Sequence, residues 1–243
     1  MNRAGFLKTL AADSELLVDT ARRDIDARVP SCEGWTVRDA VEHVAGVYEH
    51  QIAAINLAGP KPDPWPPEWP ADRDPLVWFA DARLRLVETL TTVDSDAPAW
   101  TWLPTDQTAG FWIRRMAQET AVHRVDIQLA TGNPTPVDED LAVDGIDEVL
   151  VLMLDDDWDE FPQPGLTGAV MVATGDRSWR VTMTADAVVV SSSDGTSADA
   201  VVEGDPSPLL LWLWGRAPGS VVRIAGDAEA AERLRRRLAI ATQ

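Results

Sequence analysis

The sequence is short of cysteine, of basic residues and of long apolar runs, and each shortage excludes a class of protein. Only one of its 243 residues, Cys32, is a cysteine, so the chain cannot form an internal disulfide, which fits a reducing cytoplasm. The 40 acidic residues outnumber the 21 basic ones and leave a formal charge of −19. Nucleic acids and anionic membranes require a positive surface. We therefore expect no nucleic-acid partner, no membrane partner and a cytoplasmic location.

Several familiar segments are also missing. The longest strongly apolar run, residues 209–214, is far shorter than the roughly 20 residues of a transmembrane helix. The N-terminal residues lack the basic, apolar and small-residue order of a signal peptide. No glycine-rich phosphate loop or nucleophile-elbow serine occurs, and the acidic segment 155–159 lacks the glycine and spacing of a calcium loop. The chemistry must therefore depend on other residues.

Hydrophobic spacing predicts a helical bundle in the first part of the chain. Apolar residues recur at helical intervals in five stretches, which cover residues 2–28, 36–57, 74–90, 109–130 and 139–154. The second stretch begins with a short capping box, in which Thr36 caps the helix and Asp39 reaches back. Six prolines before Pro75 exclude a helix from residues 59–75, where Trp65 and Trp69 predict an ordered loop.

The hydrophobic period changes from 3.6 to 2 after residue 165, which predicts a sheet in the second part. A proline-rich linker at residues 161–165 precedes it. Strands are predicted at residues 169–173, 179–184, 187–191, 200–203 and 221–225, and helices at 206–214 and 228–240. We therefore predict an α+β protein, with a helical domain at residues 1–160 and a small mixed α/β C-terminal domain at residues 165–243.

The three histidines of the chain are His43, His50 and His123. Glu119 and His123 are four residues apart on one predicted helix, so their side chains project from the same face. That face is otherwise apolar, and a buried carboxylate and imidazole are costly unless they are paired or hold a cation. An imidazole from another helix would complete a three-ligand site of the catalytic zinc type. A Glu–His hydrogen bond or a partly solvated face explains the same spacing without a metal.

His43 is the favoured third ligand. It lies in the well-capped second helix, and its small neighbours Ala45 and Gly46 allow another helix or a ligand to approach closely. His50 lies two turns further along and stays an alternative ligand, although a surface or rim histidine is the favoured interpretation.

Two segments resemble one protein family. Residues 29–39, VPSCEGWTVRD, are followed by His43 in HVAG, and residues 115–126 read RMAQETAVHRVD. Together these motifs resemble the mycothiol-dependent maleylpyruvate isomerase family, which joins a DinB-like four-helix bundle to a small C-terminal domain. The resemblance spans nearly the whole chain and is weakest after Gly165. It implies the same architecture here.

The resemblance also implies a site and a cosubstrate. It places a divalent metal, most commonly zinc, on His43, Glu119 and His123, and it implies the low-molecular-weight thiol mycothiol as cosubstrate. Zinc deprotonates a thiol that coordinates it, and the thiolate is the stronger nucleophile. In the family's isomerase reaction the thiol adds to a cis double bond, allows rotation and leaves to give the trans product. Arg216 is the candidate for the arginine that the family's C-terminal domain contributes, and capping of a helix end is its competing interpretation.

The neighbours of the predicted ligands have two interpretations each. Arg124 and Asp126 either orient the ligands or form an ordinary ion pair. Trp35 either packs the start of the second helix or forms a wall of the pocket, and Cys32 is expected to be a packed residue and not a nucleophile.

We therefore predict a metal-dependent, mycothiol-dependent isomerase or thiol transferase that acts on a small organic electrophile. Two other classes fit the same residues. One is a non-catalytic protein that binds a metal or a thiol, and the other is a metal-dependent hydrolase in which bound water replaces the thiol.

Overall fold

The computed structural model describes residues 1–65, 72–192 and 196–242, with the side chain of Asp157 excepted. Trp69 of the predicted loop lies outside these residues. The chain divides into two compact units, Met1–Thr135 and Pro136–Gln243. None of the helices in the described ranges is long and apolar enough to cross a membrane.

The first unit is the predicted four-helix bundle. Helix α1 packs mainly against α4, and α2 mainly against α3. The first helix ends seven residues before the predicted Arg28, because the chain turns there and Arg28 forms a short bridge with Thr36. The four helices are α1 (Arg3–Ala21), α2 (Val37–Asn56), α3 (Pro75–Thr92) and α4 (Ala109–Thr131).

Helix α4 is the most deeply buried element of this unit. Every residue from Arg115 to Gln128 is buried, although four of the fourteen are ionisable besides His123. Charged groups in such a position must find partners. Arg124 finds one on α1, where its Nε donates to Oδ1 of Asp13 across 3.2 Å. It also donates to the carbonyl oxygen of Thr135 across 2.6 Å, so Arg124 ties α4 to its neighbours in the bundle.

The second unit is a mixed α/β structure, as the change of period predicted. Helix α5 leads into a π-helix at Glu148–Leu154, and six strands form one sheet in the order β1-β4-β3-β2-β5-β6. Strands β2 and β5 pair in parallel and the other pairs are antiparallel. The elements are α5 (Glu139–Asp147), β1 (Asp156–Asp157), β2 (Gly168–Thr174), β3 (Arg177–Met183), β4 (Ala187–Ser192), β5 (Ala200–Glu203), α6 (Pro206–Leu213), β6 (Arg223–Gly226) and α7 (Ala228–Ala241), with a 3₁₀ turn at Gly219–Val221.

Burial alternates along the central strands, which is why the sheet has one apolar face. In β3 the side chains of Trp179, Val181 and Met183 are buried and the residues between them are not. Helix α7 packs on β2 and β5. Helix α5 packs against α6, so the division between the units falls at Thr135, whereas the sequence prediction divides the chain near residue 160.

Candidate metal centre

The start of α2 is fixed by the predicted capping box. The Thr36 backbone N–H donates to Oδ2 of Asp39 across 2.7 Å, and the Asp39 backbone N–H donates to Oγ1 of Thr36 across 3.4 Å. The side-chain and backbone hydrogen bonds from Thr36 hold the pKa of Asp39 below its ordinary value. His43 lies two turns into this helix. The cap fixes the start of the helix and thereby the position of the His43 backbone.

Thr36 therefore offers a test of how strongly the cap supports the bundle. Replacing Thr36 with alanine is expected to lower the free energy of unfolding by about 1 kcal/mol, the usual cost of losing an N-cap side chain. Thr108 is the matched control, because it is the N-cap residue of α4 but makes no side-chain cap bond. Urea unfolding should show a clearly smaller loss for T108A than for T36A. Equal losses would show that the capping bond does not stabilise the unit.

The three predicted ligands come together in the first unit. On α4, Nε2 of His123 lies 3.2 Å from Oε1 of Glu119. From α2, Nε2 of His43 lies 3.2 Å from the same oxygen. One ligand atom from each of the three residues lies within 4.8 Å of the others. The three residues predicted as ligands therefore lie at one place, where two imidazoles face a single carboxylate oxygen.

This donor set fits a divalent cation. Zinc binds histidine nitrogen and carboxylate oxygen at about 2.0 to 2.2 Å, which places neighbouring ligand atoms of a tetrahedral site about 3.3 Å apart. Both histidine-to-glutamate separations are close to that value. The side chains of Glu119 and His123 are 10% and 11% exposed, whereas that of His43 is 34% exposed. The site is therefore buried on the α4 side and accessible beside His43.

The electrostatics of the site favour a positive charge between these residues. Burial would raise the pKa of Glu119, but the charges of His123 and Arg115 outweigh it and hold that pKa well below its ordinary value. Burial would lower the pKa of His123, but Glu119 and Asp126 raise it to about 9. A buried imidazole that is easily protonated lies in a negative potential, and such a potential also attracts a metal cation.

Arg115 is a neighbour that the sequence analysis missed. Its guanidinium pairs with Oε2 of Glu119, the carboxylate oxygen that does not face the histidines. Arg115 is itself 9% exposed, so the pair is buried. The spacing could have revealed it, because Arg115 and Glu119 are four residues apart on one helix, as Glu119 and His123 are. Arg115 keeps Glu119 ionised and fixes the direction of its carboxylate.

Trp35 lies over the two histidines. Its ring is 5.1 Å from the His43 ring and 6.2 Å from the His123 ring between centroids, and it is stacked on the latter at an interplanar angle of 14°. Trp35 therefore forms a wall of the site, which was one of its two predicted roles. Arg124 does not share this position, because its side chain binds Asp13 on α1.

His50 lies outside the ligand cluster of the first unit, and Arg216 belongs to the second unit. His50 is 5% exposed, so it is neither a surface nor a rim histidine, and it lies edge-on to Trp65 at 4.5 Å. It is not part of the metal-ligand cluster found among the described residues. Arg216 belongs to the second unit and donates from Nη1 to the carbonyl oxygen of Trp214 across 2.6 Å, at the end of α6. Its contribution to an active site stays a prediction.

The comparisons with known proteins agree with the predicted resemblance. The family model described as "Mycothiol maleylpyruvate isomerase N-terminal domain" matches residues 7–128. A second model, "MDMPI C-terminal domain", matches residues 140–233. No curated protein sequence matches the chain significantly.

Two solved structures share the fold along nearly the whole chain. They are crystal structures of the mycothiol-dependent maleylpyruvate isomerase and of a mutant of it in which a histidine is replaced by alanine. Each has a TM-score of 0.65 and 13% sequence identity, and each match covers 94% of this chain and 95% of that chain. These likenesses confirm the predicted architecture of a helical bundle followed by a mixed α/β unit. Because the two family models together match well over half of its residues, the chain belongs to the mycothiol maleylpyruvate isomerase family.

Proposed function

We propose that the protein is a metal-dependent enzyme that uses mycothiol to act on a small organic electrophile, and that its reaction is the cis–trans isomerisation of maleylpyruvate or a related unsaturated acid. One observation carries the proposal. Two imidazole nitrogens, from His43 and His123, face the same oxygen of Glu119 in a chain of this family. The metal, the thiol and the substrate are all part of the proposal.

His43, Glu119 and His123 would hold the cation, most commonly zinc. A cation bound there supplies Lewis acidity, which lowers the pKa of a coordinating thiol and makes the sulfur nucleophilic near neutral pH. Three protein ligands leave a coordination position for an external group, which is the pattern of catalytic zinc sites. The exposure of His43 supports access for that group from the α2 side.

The residues of the chain prepare this position in distinct ways. Arg115 pairs with Glu119 and keeps it ionised, so Glu119 offers a charged carboxylate to a cation. Trp35 covers the imidazole rings of His43 and His123 and so limits the access of water to them. On the buried α4 side of the site, the interaction between charged groups is stronger than it is in bulk solvent.

The isomerisation leaves the atomic composition of the substrate unchanged. The sulfur forms a bond to one carbon of the cis double bond, and the π electrons move toward the conjugated carbonyl. The former double bond is now a single bond and rotates. The electrons then return, the carbon–sulfur bond breaks, and the thiol leaves unchanged from the trans product. Arg216 is proposed as the cation that faces the acidic substrate, on the basis of its resemblance to the family's arginine.

The test is an isomerase assay with defined metal and thiol. Protein purified without a histidine tag and without added metal is analysed for bound elements. It is then assayed with maleylpyruvate in the presence and absence of mycothiol. We expect turnover only with mycothiol, loss of turnover after chelation, and recovery when zinc is returned. R216A is expected to lose activity and to keep its metal content, because Arg216 is not a predicted ligand.

The competing functions give different results in the same assay. Turnover of an ester or amide without any thiol would favour a hydrolase. Tight binding of metal and mycothiol without turnover of a broad panel of electrophiles would favour a non-catalytic binding protein. Formation of a stable thioether product would favour a transferase. Each of these three outcomes would overturn the isomerase proposal.

A further inference from the structure

The loop between α1 and α2 is closely tied to the far side of His123. Its backbone folds back on itself, because the N–H of Val29 donates to the Trp35 carbonyl oxygen across 3.0 Å and the N–H of Trp35 donates to the Cys32 carbonyl oxygen across 3.1 Å. Gly34 has a φ of +83°, a conformation that favours glycine, and it allows this tight return. The loop thereby holds its side chains at fixed positions against α4.

Two of those side chains bind a carboxylate that faces the proposed centre. Asp126 on α4 is completely buried. The Ser31 hydroxyl donates to its Oδ1 across 2.5 Å, and the Cys32 thiol donates to its Oδ2 across 3.6 Å. Oδ2 of Asp126 also lies 3.1 Å from Nδ1 of His123. This is the ring nitrogen that points away from Glu119, because Nε2 is the atom near that carboxylate.

The arrangement gives the two nitrogens of His123 different environments. Nδ1 is buried and makes no hydrogen bond of regular geometry within the described ranges, so the Asp126 carboxylate, 3.1 Å away, is the charged group beside it. A neutral imidazole carries one N–H, and the ring nitrogen beside a carboxylate is the one that keeps the hydrogen. The lone pair is then left on Nε2, which faces Glu119 and His43. A metal-binding histidine commonly uses such a carboxylate to fix its tautomer and ring orientation.

We propose that Ser31 and Asp126 are positioning residues of the metal centre, which fix His123 with its hydrogen on Nδ1 and its lone pair on Nε2 for the cation. Ser31 acts through Asp126, which it holds in place, and Asp126 acts on His123 directly. The same loop supplies Trp35, which lies on the face of the same ring. One segment therefore contacts the face of the His123 ring through Trp35 and holds, through Ser31, the carboxylate at the edge of that ring. This inference rests on the proposed function, because it presumes that His123 binds a metal.

A buried aspartate elsewhere in the bundle provides the matched control. Asp13 is 7% exposed and so resembles Asp126 in burial, but it accepts a hydrogen bond from Arg124, whereas Asp126 lies beside His123 of the ligand cluster. The comparison of D126N with D13N therefore separates a role in the metal centre from the general cost of altering a buried carboxylate. S31A is a milder second variant, because it removes only one hydroxyl group from a partly exposed loop.

The experiment measures metal affinity and metal geometry, not activity. Zinc affinity of each metal-free variant is determined by competition with a chromophoric chelator, and the visible spectrum of the Co²⁺-loaded protein reports the ligand geometry. D126N is expected to bind zinc roughly 10- to 100-fold more weakly than the unchanged protein, which is the usual cost of losing such a partner. S31A should bind about threefold to tenfold more weakly, below the roughly 10- to 100-fold cost of losing a direct partner, because Ser31 acts only through Asp126. D13N should keep the original affinity, and S31A should add nothing in a D126N background.

Each outcome has a separate meaning. Zinc affinity of D126N and S31A within about twofold of the unchanged protein, with an unchanged Co²⁺ spectrum, would overturn the positioning role. Equal losses of affinity in D126N and D13N would overturn it too, because the effect would then be general. Should D126N fail to fold, S31A alone decides. If the unchanged protein binds no zinc, or binds it equally well as H123A, the proposed metal centre itself is wrong.

Discussion

Replacing His123 with alanine is expected to reduce the bound metal from about one equivalent per chain to about a tenth or less after dialysis. A three-ligand centre loses a third of its donors, and this costs more than the roughly 10- to 100-fold loss of affinity that follows removal of an outer partner. His123 is one of three residues in the ligand cluster, and each of them offers one ligand atom. The other two, His43 and Glu119, already supply their own atoms and cannot replace it. Mycothiol-dependent turnover should fall in the same proportion as the metal.

The matched control is His50→Ala. His50 is another buried histidine of the same unit, it lies on the helix that carries His43, and it is not a member of the ligand cluster. Elemental analysis of both variants, each purified without a tag, decides the result. We expect H50A to keep its metal. Loss of metal from H50A with retention in H123A would show that the ligand set has been assigned to the wrong histidine.

Much of this site could be predicted from the sequence, because its main pair is local. Glu119 and His123 are one helical turn apart, and the helical period alone places them on one face. His43 lies 76 residues away from Glu119, so its position depends on how α2 packs against α4. The small residues beside it suggested a close approach, and the family resemblance named the residue. The structure brings the three side chains together.

Other features could not be predicted, since they depend on directions that a sequence does not specify. Arg124 and Asp126 are two residues apart, and the sequence allowed them either to orient the ligands or to form ordinary ion pairs within or between helices. In the bundle they diverge, because Arg124 donates to Asp13 on α1 while Asp126 faces His123 and the loop before α2. The π-helix after α5 was likewise predicted as ordinary helix, because its apolar residues fit either period over so short a segment.

Stability of the metal-free protein is expected to fall as the pH rises from about 6.5 to 9 and above. The pKa of His123 is about 9 in the folded protein, against an ordinary value of 6.5. A raised pKa means that the folded state binds the proton more tightly than the unfolded state does. This stabilisation is complete below pH 6.5 and disappears as the pH rises through 9. Its size is about 3 kcal/mol, since each pKa unit corresponds to about 1.4 kcal/mol.

A bound cation should reverse this dependence. Zinc requires the unprotonated Nε2 of His123, so metal and proton compete for one site, and zinc affinity should rise over the same pH range. Urea unfolding between pH 6 and pH 9.5 tests this on chelated and zinc-saturated protein, with chelated H123A as the control that removes this histidine's contribution. The stability difference between the chelated unchanged protein and chelated H123A should shrink as the pH rises, and the gain from zinc should grow. A constant difference across the range would show that Glu119 and Asp126 do not hold a proton on His123, and the electrostatic argument for a cation at this point would then fail with it.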